Sequence, residues 1–341
     1  MKRKRQEKCI PLELLNQIST KYPGCWDLIE RIRNEQGKQK SEIFVDKPAV
    51  WKSWCYIPIG ICRSIITDIF GNDNLMLASY DAALMAALAP WRQSKEIFQF
   101  DEELVKDLQS EAEYTVNMSV PSDIFLKLPY PAMFIQTEKE KGYFVSLEND
   151  PGRGDQELRF VFVDSSDKDT PYYPSYIAFN NKETIGDQVK KMMTFLNDQT
   201  NHNKLETELA KLLSTSFQLV LYLCTKQPDL RQTSKPVKRS AVIHDSYREI
   251  RQWDVGIRYG NAIRAYTKKI TDNNESDDNS TGHQGSHAPK RPHIRRGHFH
   301  HYWVGSKSKP DERKQELIWL EPTFVNAGDA DELPTTIHQV K

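Results

Sequence analysis

Glu157–Ser165 reads ELRFVFVDS, and in it Leu158, Phe160 and Phe162 alternate with Arg159, Val161 and Val163. A period of two puts three large apolar side chains on one side of a β-strand, whereas on a helix it would scatter them around the axis. Runs of the same kind flank it: AMFIQ from Ala132, GYFVSLE from Gly142 and PSYIAF from Pro174. Pro, Gly, Asp and Asn separate these runs, and PGRGD at Pro151–Asp155 reads as a Gly-rich turn between strands. The expectation is an antiparallel meander from Ala132 to Phe179 with one firmly buried face.

Outward from the meander the period changes to that of a helix. Leu14, Leu15 and Ile18, then Trp26, Ile29 and Ile32 after Pro23-Gly24, predict two short amphipathic helices. LMLASYDAALMAALAPW, from Leu75, predicts a helix ended by Pro90. On the other side of the meander, helices are predicted over Glu183–Asn197 and Lys204–Lys226, the second crossing the core through FQLVLYLC, and a last one over about Tyr247–Lys269. TDNNESDDNSTGHQGSHAPK follows with no core-forming residue, as a linker would. Beyond it, HIRRGHFHHYWVG and QELIWLEPTFVN predict a hairpin with a long polar loop. The fold class is α+β. Residues 1–110 form a mainly helical region, 111–270 an α+β core with the meander and helices, 271–289 a flexible linker and 290–341 a basic, aromatic recognition segment.

The bulk numbers remove several function classes. Lysines and arginines number 47 and aspartates and glutamates 47, so no whole-protein field draws the chain onto a polyanion. Five scattered cysteines without C-x-x-C spacing fit a reducing, cytoplasmic compartment. The basic start MKRKRQEKC precedes no uninterrupted apolar run, and no stretch approaches the length of a membrane span. Nucleophile elbow, P-loop, dinucleotide fingerprint and H-E-x-x-H are all lacking, so no enzymatic constellation is expected.

Chemistry concentrates in PKRPHIRRGHFHHYW, Pro289–Trp303. On a strand Arg296, His298, His300 and Tyr302 share one face, while Arg295, Phe299, His301 and Trp303 share the other. His298 and His300, with His293 nearby, have a spacing a metal would accept, but Arg295 and Arg296 set fixed positive charge beside them, so neither a metal nor another cofactor is expected. Phosphates could meet Lys290, Arg291, Arg295 and Arg296, and bases could stack on the aromatics, without a complete nucleic-acid module to support it. A His/Arg pair could also do ribonuclease-type acid–base work. Phe299, Trp303 and Trp319 read as a structural aromatic face; His293, Arg295, Arg296, His298, His300 and Tyr302 are the candidate contacts to a peptide or to RNA.

KRPHIRRGHFHHYWVG followed by IWLEPTFVNAG closely resembles the C-terminal signature of the type V-A anti-CRISPR family that suppresses biosynthesis of the type V-A effector nuclease. APWRQSKEIFQFDEELVKD (Ala89–Asp107), PSDIFLKLPYPAMFI (Pro121–Ile135), LVLYLCTKQPDL (Leu219–Leu230) and VGIRYGNAIRAY (Val255–Tyr266) are similar to that family too. The resemblance implies a phage- or plasmid-encoded protein of the prokaryotic cytoplasm that recognises the effector's nascent amino-terminal peptide during translation and causes loss of its messenger RNA. Its implied partners are that peptide and, with it, the translating ribosome or the message; an RNA-binding or RNA-cleaving protein acting on the transcript is the alternative. An extended nascent peptide is commonly gripped at a sheet edge, through backbone hydrogen bonds and aromatic pockets.

Overall fold

The computed structural model describes residues 9–38, 50–117, 127–149, 156–167, 171–179, 183–195, 202–233, 250–276, 293–295, 297–306, 308, 314–320 and 323–325. The fold is α+β, and the chain divides into two compact units assembled from separated stretches: 1–99, 117–206 and 232–253 in the first, 100–116, 207–231 and 254–341 in the second.

The first unit begins with α1 (Ile10–Lys21) and α2 (Cys25–Glu35), parted at Gly24. Then come α3 (Ile59–Ser64), which runs into a π-helical turn at Ile65–Ile69, and α4 (Leu75–Ser94). The meander is present as β2 (Ala132–Gln136), β3 (Lys141–Asn149), β4 (Gln156–Asp164) and β5 (Tyr172–Ala178), each antiparallel to the next. α6 (Ile185–Phe195) follows it. Alternation along ELRFVFVDS does set the faces. Val161 and Val163 join Phe134, Phe144 and Tyr172 in the core beneath α1–α4, and Phe160 and Phe162 stack with their ring planes 10° apart. α4 packs across that sheet face, where Asp81 accepts the Tyr172 hydroxyl and Trp91 meets Phe144 edge-on at 5.9 Å between centroids.

Three features depart from the sequence reading. Pro90 does not end α4, which runs on to Ser94 and is capped by Lys95 in the left-handed conformation with φ 50°. Proline removes one hydrogen bond and crowds the carbonyl four residues back, and here only a single turn follows it before the helix stops. β1 (Glu96–Phe100) lies parallel to β2 in a region expected to be helical, and β6 (Leu230–Gln232) and β7 (Arg251–Val255) are strands as well. The meander therefore continues into a mixed seven-stranded sheet of order β5-β4-β3-β2-β1-β7-β6. β7 occupies the first part of what read as the last helix, and Gly256, with φ 76°, turns the chain from strand into helix.

The second unit holds α5 (Glu102–Thr115), α7 (His202–Leu223, of which residues from 207 onward belong here) and α8 (Ile257–Ser276). α8 extends into the stretch expected to be linker, because TDNNES contains neither Gly nor Pro to stop it; the remainder of 271–289 lies outside the described residues. The C-terminal hairpin is formed by β9 (His298–Val304) and β10 (Lys314–Leu320), antiparallel. β8 (His293–Arg295) and β11 (Thr323–Val325) pair beyond it, and their register continues that of β9 and β10 without a slip. The two predicted runs therefore form one ladder interrupted once, between Arg295 and His298 on one side and between Leu320 and Thr323 on the other.

Candidate functional site: a hairpin on an aromatic and carboxylate seat

β9 and β10 set Phe299 opposite Trp319 and His300 opposite Ile318. Directly opposed residues share a face, so Phe299 and Trp319 lie together on one side, while His298, His300, Ile318 and Leu320 lie on the other. The two faces differ in environment. His298, His300 and Val304 are exposed, Phe299 and Trp319 are half-buried, and Gly297 is buried. The inward face is held by rings: Trp319 meets Phe299 edge-on at 4.8 Å between centroids and Tyr222 of α7 edge-on at 5.8 Å, and Tyr259 of α8, tilted by 53°, at 6.4 Å. Such edge-on pairs add to the stabilisation from burying the rings themselves. Tyr222 also meets Phe100 at 6.2 Å.

Gly297 is where the strand comes closest to this cluster. A Cβ there would lie 2.4 Å from Cζ2 and 2.9 Å from Cε2 of Trp319, so the indole occupies the space that any other residue would need. The Gly297 of RRGHFHHYW is thus part of the seat, a role its place in a basic, aromatic run does not suggest.

Three carboxylates fix the helices beneath. Tyr259 donates its hydroxyl to Asp107 of α5. Burial, then the hydrogen bond to that carboxylate, pushes the Tyr259 hydroxyl well above the ordinary tyrosine range, with the Gly297 backbone amide opposing, so the phenol remains a donor. Arg264 of α8 forks onto Asp101 through Nη1 at 3.0 Å and Nη2 at 2.8 Å. Asp101 in turn accepts the Glu103 N–H at 3.0 Å and caps the start of α5. A Cβ on Gly260 would lie 2.0 Å from that carboxylate, so the glycine leaves room for the pair. Asp229 accepts the Arg258 N–H at 2.8 Å and its Nε at 2.6 Å, which ties the start of α8 to the end of LVLYLCTKQPDL. The Asp229 N–H itself donates to the Tyr222 hydroxyl at 3.1 Å.

Sequence reasoning named the hairpin and passed over its seat. Tyr222, Asp101, Asp107, Asp229, Arg258, Tyr259, Gly297 and Arg264 carry no local signal, because their partners are remote along the chain. What marked them was membership of three family-like segments, 89–107, 219–230 and 255–266, and of the C-terminal signature, which meet here. Of the candidate contact residues, His298 and His300 lie on the exposed face. The side chains of His293, Arg295, Arg296, Tyr302 and Trp303 lie outside the described residues, although their backbones, Arg296 excepted, are placed in β8 and β9. Among the described residues no group of three or more His, Cys, Asp or Glu side chains could hold a metal ion, and no helix is long and apolar enough to cross a membrane.

Comparison with known proteins fits this constellation to a class, that of the anti-CRISPR proteins directed at type V systems. A family model described as "AcrVA2-like: Anti-CRISPR type V subtype A2 family" matches residues 98–327, well over half of the chain and the whole of the hairpin's seat. The chain belongs to that family. It is similar to protein FinQ of Escherichia coli, 27% identical over 368 residues that cover 98% of each chain. The crystal structure of AcrVA2 shares its fold with a TM-score of 0.57 at 18% identity, over 92% of this chain and 98% of that one.

Proposed function

We propose that this protein lowers production of the type V-A effector nuclease by recognising the effector's nascent amino-terminal peptide during translation, and that recognition leads to loss of the effector's messenger RNA. It acts without catalysing a reaction itself, in the cytoplasm of a prokaryotic cell that carries it on a phage or plasmid. The observation that carries the reading is the hairpin. Within a family of type V anti-CRISPR proteins, a seat of aromatic rings and carboxylate contacts holds a short strand pair so that His298 and His300 face solvent, beside Ile318 and Leu320. A preorganised strip of imidazole and aliphatic side chains suits a peptide that has not yet folded, since little further ordering of the protein is needed on binding. By the same alternation Arg296 and Tyr302 belong with His298 and His300, and His293 and Arg295, of the opposite parity, are proposed as further contacts of the peptide.

Direct titration tests the proposal. A synthetic peptide with the effector's amino-terminal sequence is expected to bind the purified full chain with modest salt dependence, and a scrambled peptide is not. Binding of the corresponding RNA instead, with an affinity that falls steeply as salt rises, would replace this reading by direct action on the transcript, because released counterions give phosphate contacts a steep salt slope.

A further inference from the structure

The ladder of the hairpin is interrupted between Arg295 and His298, and the Gly297 amide lies in that gap. Gly297 is buried, so its N–H needs a partner from outside the strand pair. That partner is the Tyr259 hydroxyl of α8, which accepts the Gly297 N–H and donates its own proton to Asp107 of α5. Strand, ring and carboxylate are thus joined by hydrogen bonds in series, within the second unit, where α5 also packs against β9. A phenol that donates to a carboxylate is polarised by it and becomes the better acceptor, so the bond to Asp107 strengthens the bond to Gly297.

The place of attachment gives the relay its meaning. Ring contacts at Phe299 and Trp319 are broad, and they hold a face of the hairpin without fixing how each residue stands on it. A hydrogen bond is short and directional, and this one ends on the residue that precedes His298. Trp319 admits no side chain at that same residue, so exclusion and attachment act together there. We infer that Tyr259 and Asp107 are positioning residues for peptide recognition: acting through the Gly297 amide, they fix the place of His298, and with it His300, on the exposed face. The inference rests on the peptide reading above.

Tyr259→Phe keeps the ring beside Trp319 and removes only the oxygen. Well below its melting temperature, the full chain carrying it is expected to bind a synthetic peptide of the effector's amino-terminal sequence about tenfold or more weakly. Asp107→Ala is expected to lose a similar factor, and Asp107→Asn, which leaves the hydroxyl an acceptor, clearly less. Val220→Ala, a buried change in α7 outside the relay, supplies the comparison: it is expected to lower the melting temperature without weakening the peptide. The relay also has a spectroscopic signature, because a less polarised hydroxyl accepts more weakly: the Gly297 amide proton resonance is expected to move upfield in Asp107→Asn. Unchanged affinity in Tyr259→Phe, affinities that follow melting temperature through all of these variants, or a Gly297 resonance indifferent to Asp107→Asn would overturn the inference. If Tyr259→Phe does not fold, the two Asp107 variants decide, and equal affinities in them overturn it. Absence of binding by the unsubstituted chain would instead sink the peptide reading itself.

Discussion

A single methyl group at residue 297 separates a seated hairpin from an unseated one. Gly297→Ala is expected to displace Trp319 and to destabilise the second unit by about 1–3 kcal/mol, the usual cost of overpacking. Trp319→Ala, which opens a gap between Tyr222, Tyr259 and Phe299, is expected to cost about 2–4 kcal/mol, slightly less than for a fully buried tryptophan because Trp319 is half-buried. Chemical denaturation monitored by tryptophan fluorescence checks both. His298→Ala with His300→Ala should instead leave the melting temperature within about a degree, since surface changes usually stay near ±0.5 kcal/mol, and should reduce suppression of the effector. If the double variant melts early and keeps full activity, the exposed face is structural and the contact surface lies elsewhere. Alternation in HFHHYWV is enough to separate 298 and 300 from 299, because a period of two is a local property. That Trp319 would rest on Tyr222 and Tyr259 was not legible, because each ring comes from a different and distant element.

At the scale of elements, helix and strand were readable wherever one face is apolar over several turns or residues, as in α1, α2, α4, α7 and β2–β5. β1 and β7 escaped for a shared reason. EIFQF and RQWDV are five residues each, and each is joined directly to a helix, so neither the length nor the turn chemistry of a strand stands out. Pro90 misled in the opposite direction, since it sits a single turn from the end of α4, where its cost is small. The helical elements also bury the thiols. Burial pushes Cys25 up to about 12 and lifts Cys55 and Cys62 further above their ordinary 9.0. A raised folded-state value means that the unfolded chain gives up its proton first, so this contribution is complete below pH 9 and is lost as pH rises through the range above it. Melting temperature is therefore expected to fall between pH 9 and 11 more steeply in the wild type than in Cys25→Ala/Cys62→Ala, compared each to its own value at pH 7. Equal slopes would show that other groups, the buried tyrosines first among them, carry the alkaline transition. Native labelling with a maleimide should modify Cys9, the half-buried thiol, ahead of the four buried ones.

Over the whole molecule, equal numbers of acidic and basic side chains leave selectivity to local surfaces, and residues 100–107, 219–230 and 255–266 of the family-like segments gather with the C-terminal signature in the second unit. The change of hydrophobic period along the chain identified the class correctly as α+β, while the division into two interleaved units was hidden from it. Each unit gathers stretches more than a hundred residues apart, and hydrophobic periodicity speaks only of neighbours along the chain. The same limit applied to function: imidazole, guanidinium and aromatic groups in Pro289–Trp303 suit a peptide and RNA alike, and only the family resemblance distinguished between them. The central claim is that the amino acids, not the nucleotides, of the effector's first codons are recognised. The most direct measurement is the effector messenger RNA level in cells carrying this protein, comparing the native start of the gene with two recoded versions. Synonymous recoding is predicted to leave the loss of message intact, and a compensated frameshift that keeps the nucleotides while changing the peptide is predicted to abolish it; loss of message that follows the nucleotides through both changes would contradict the account.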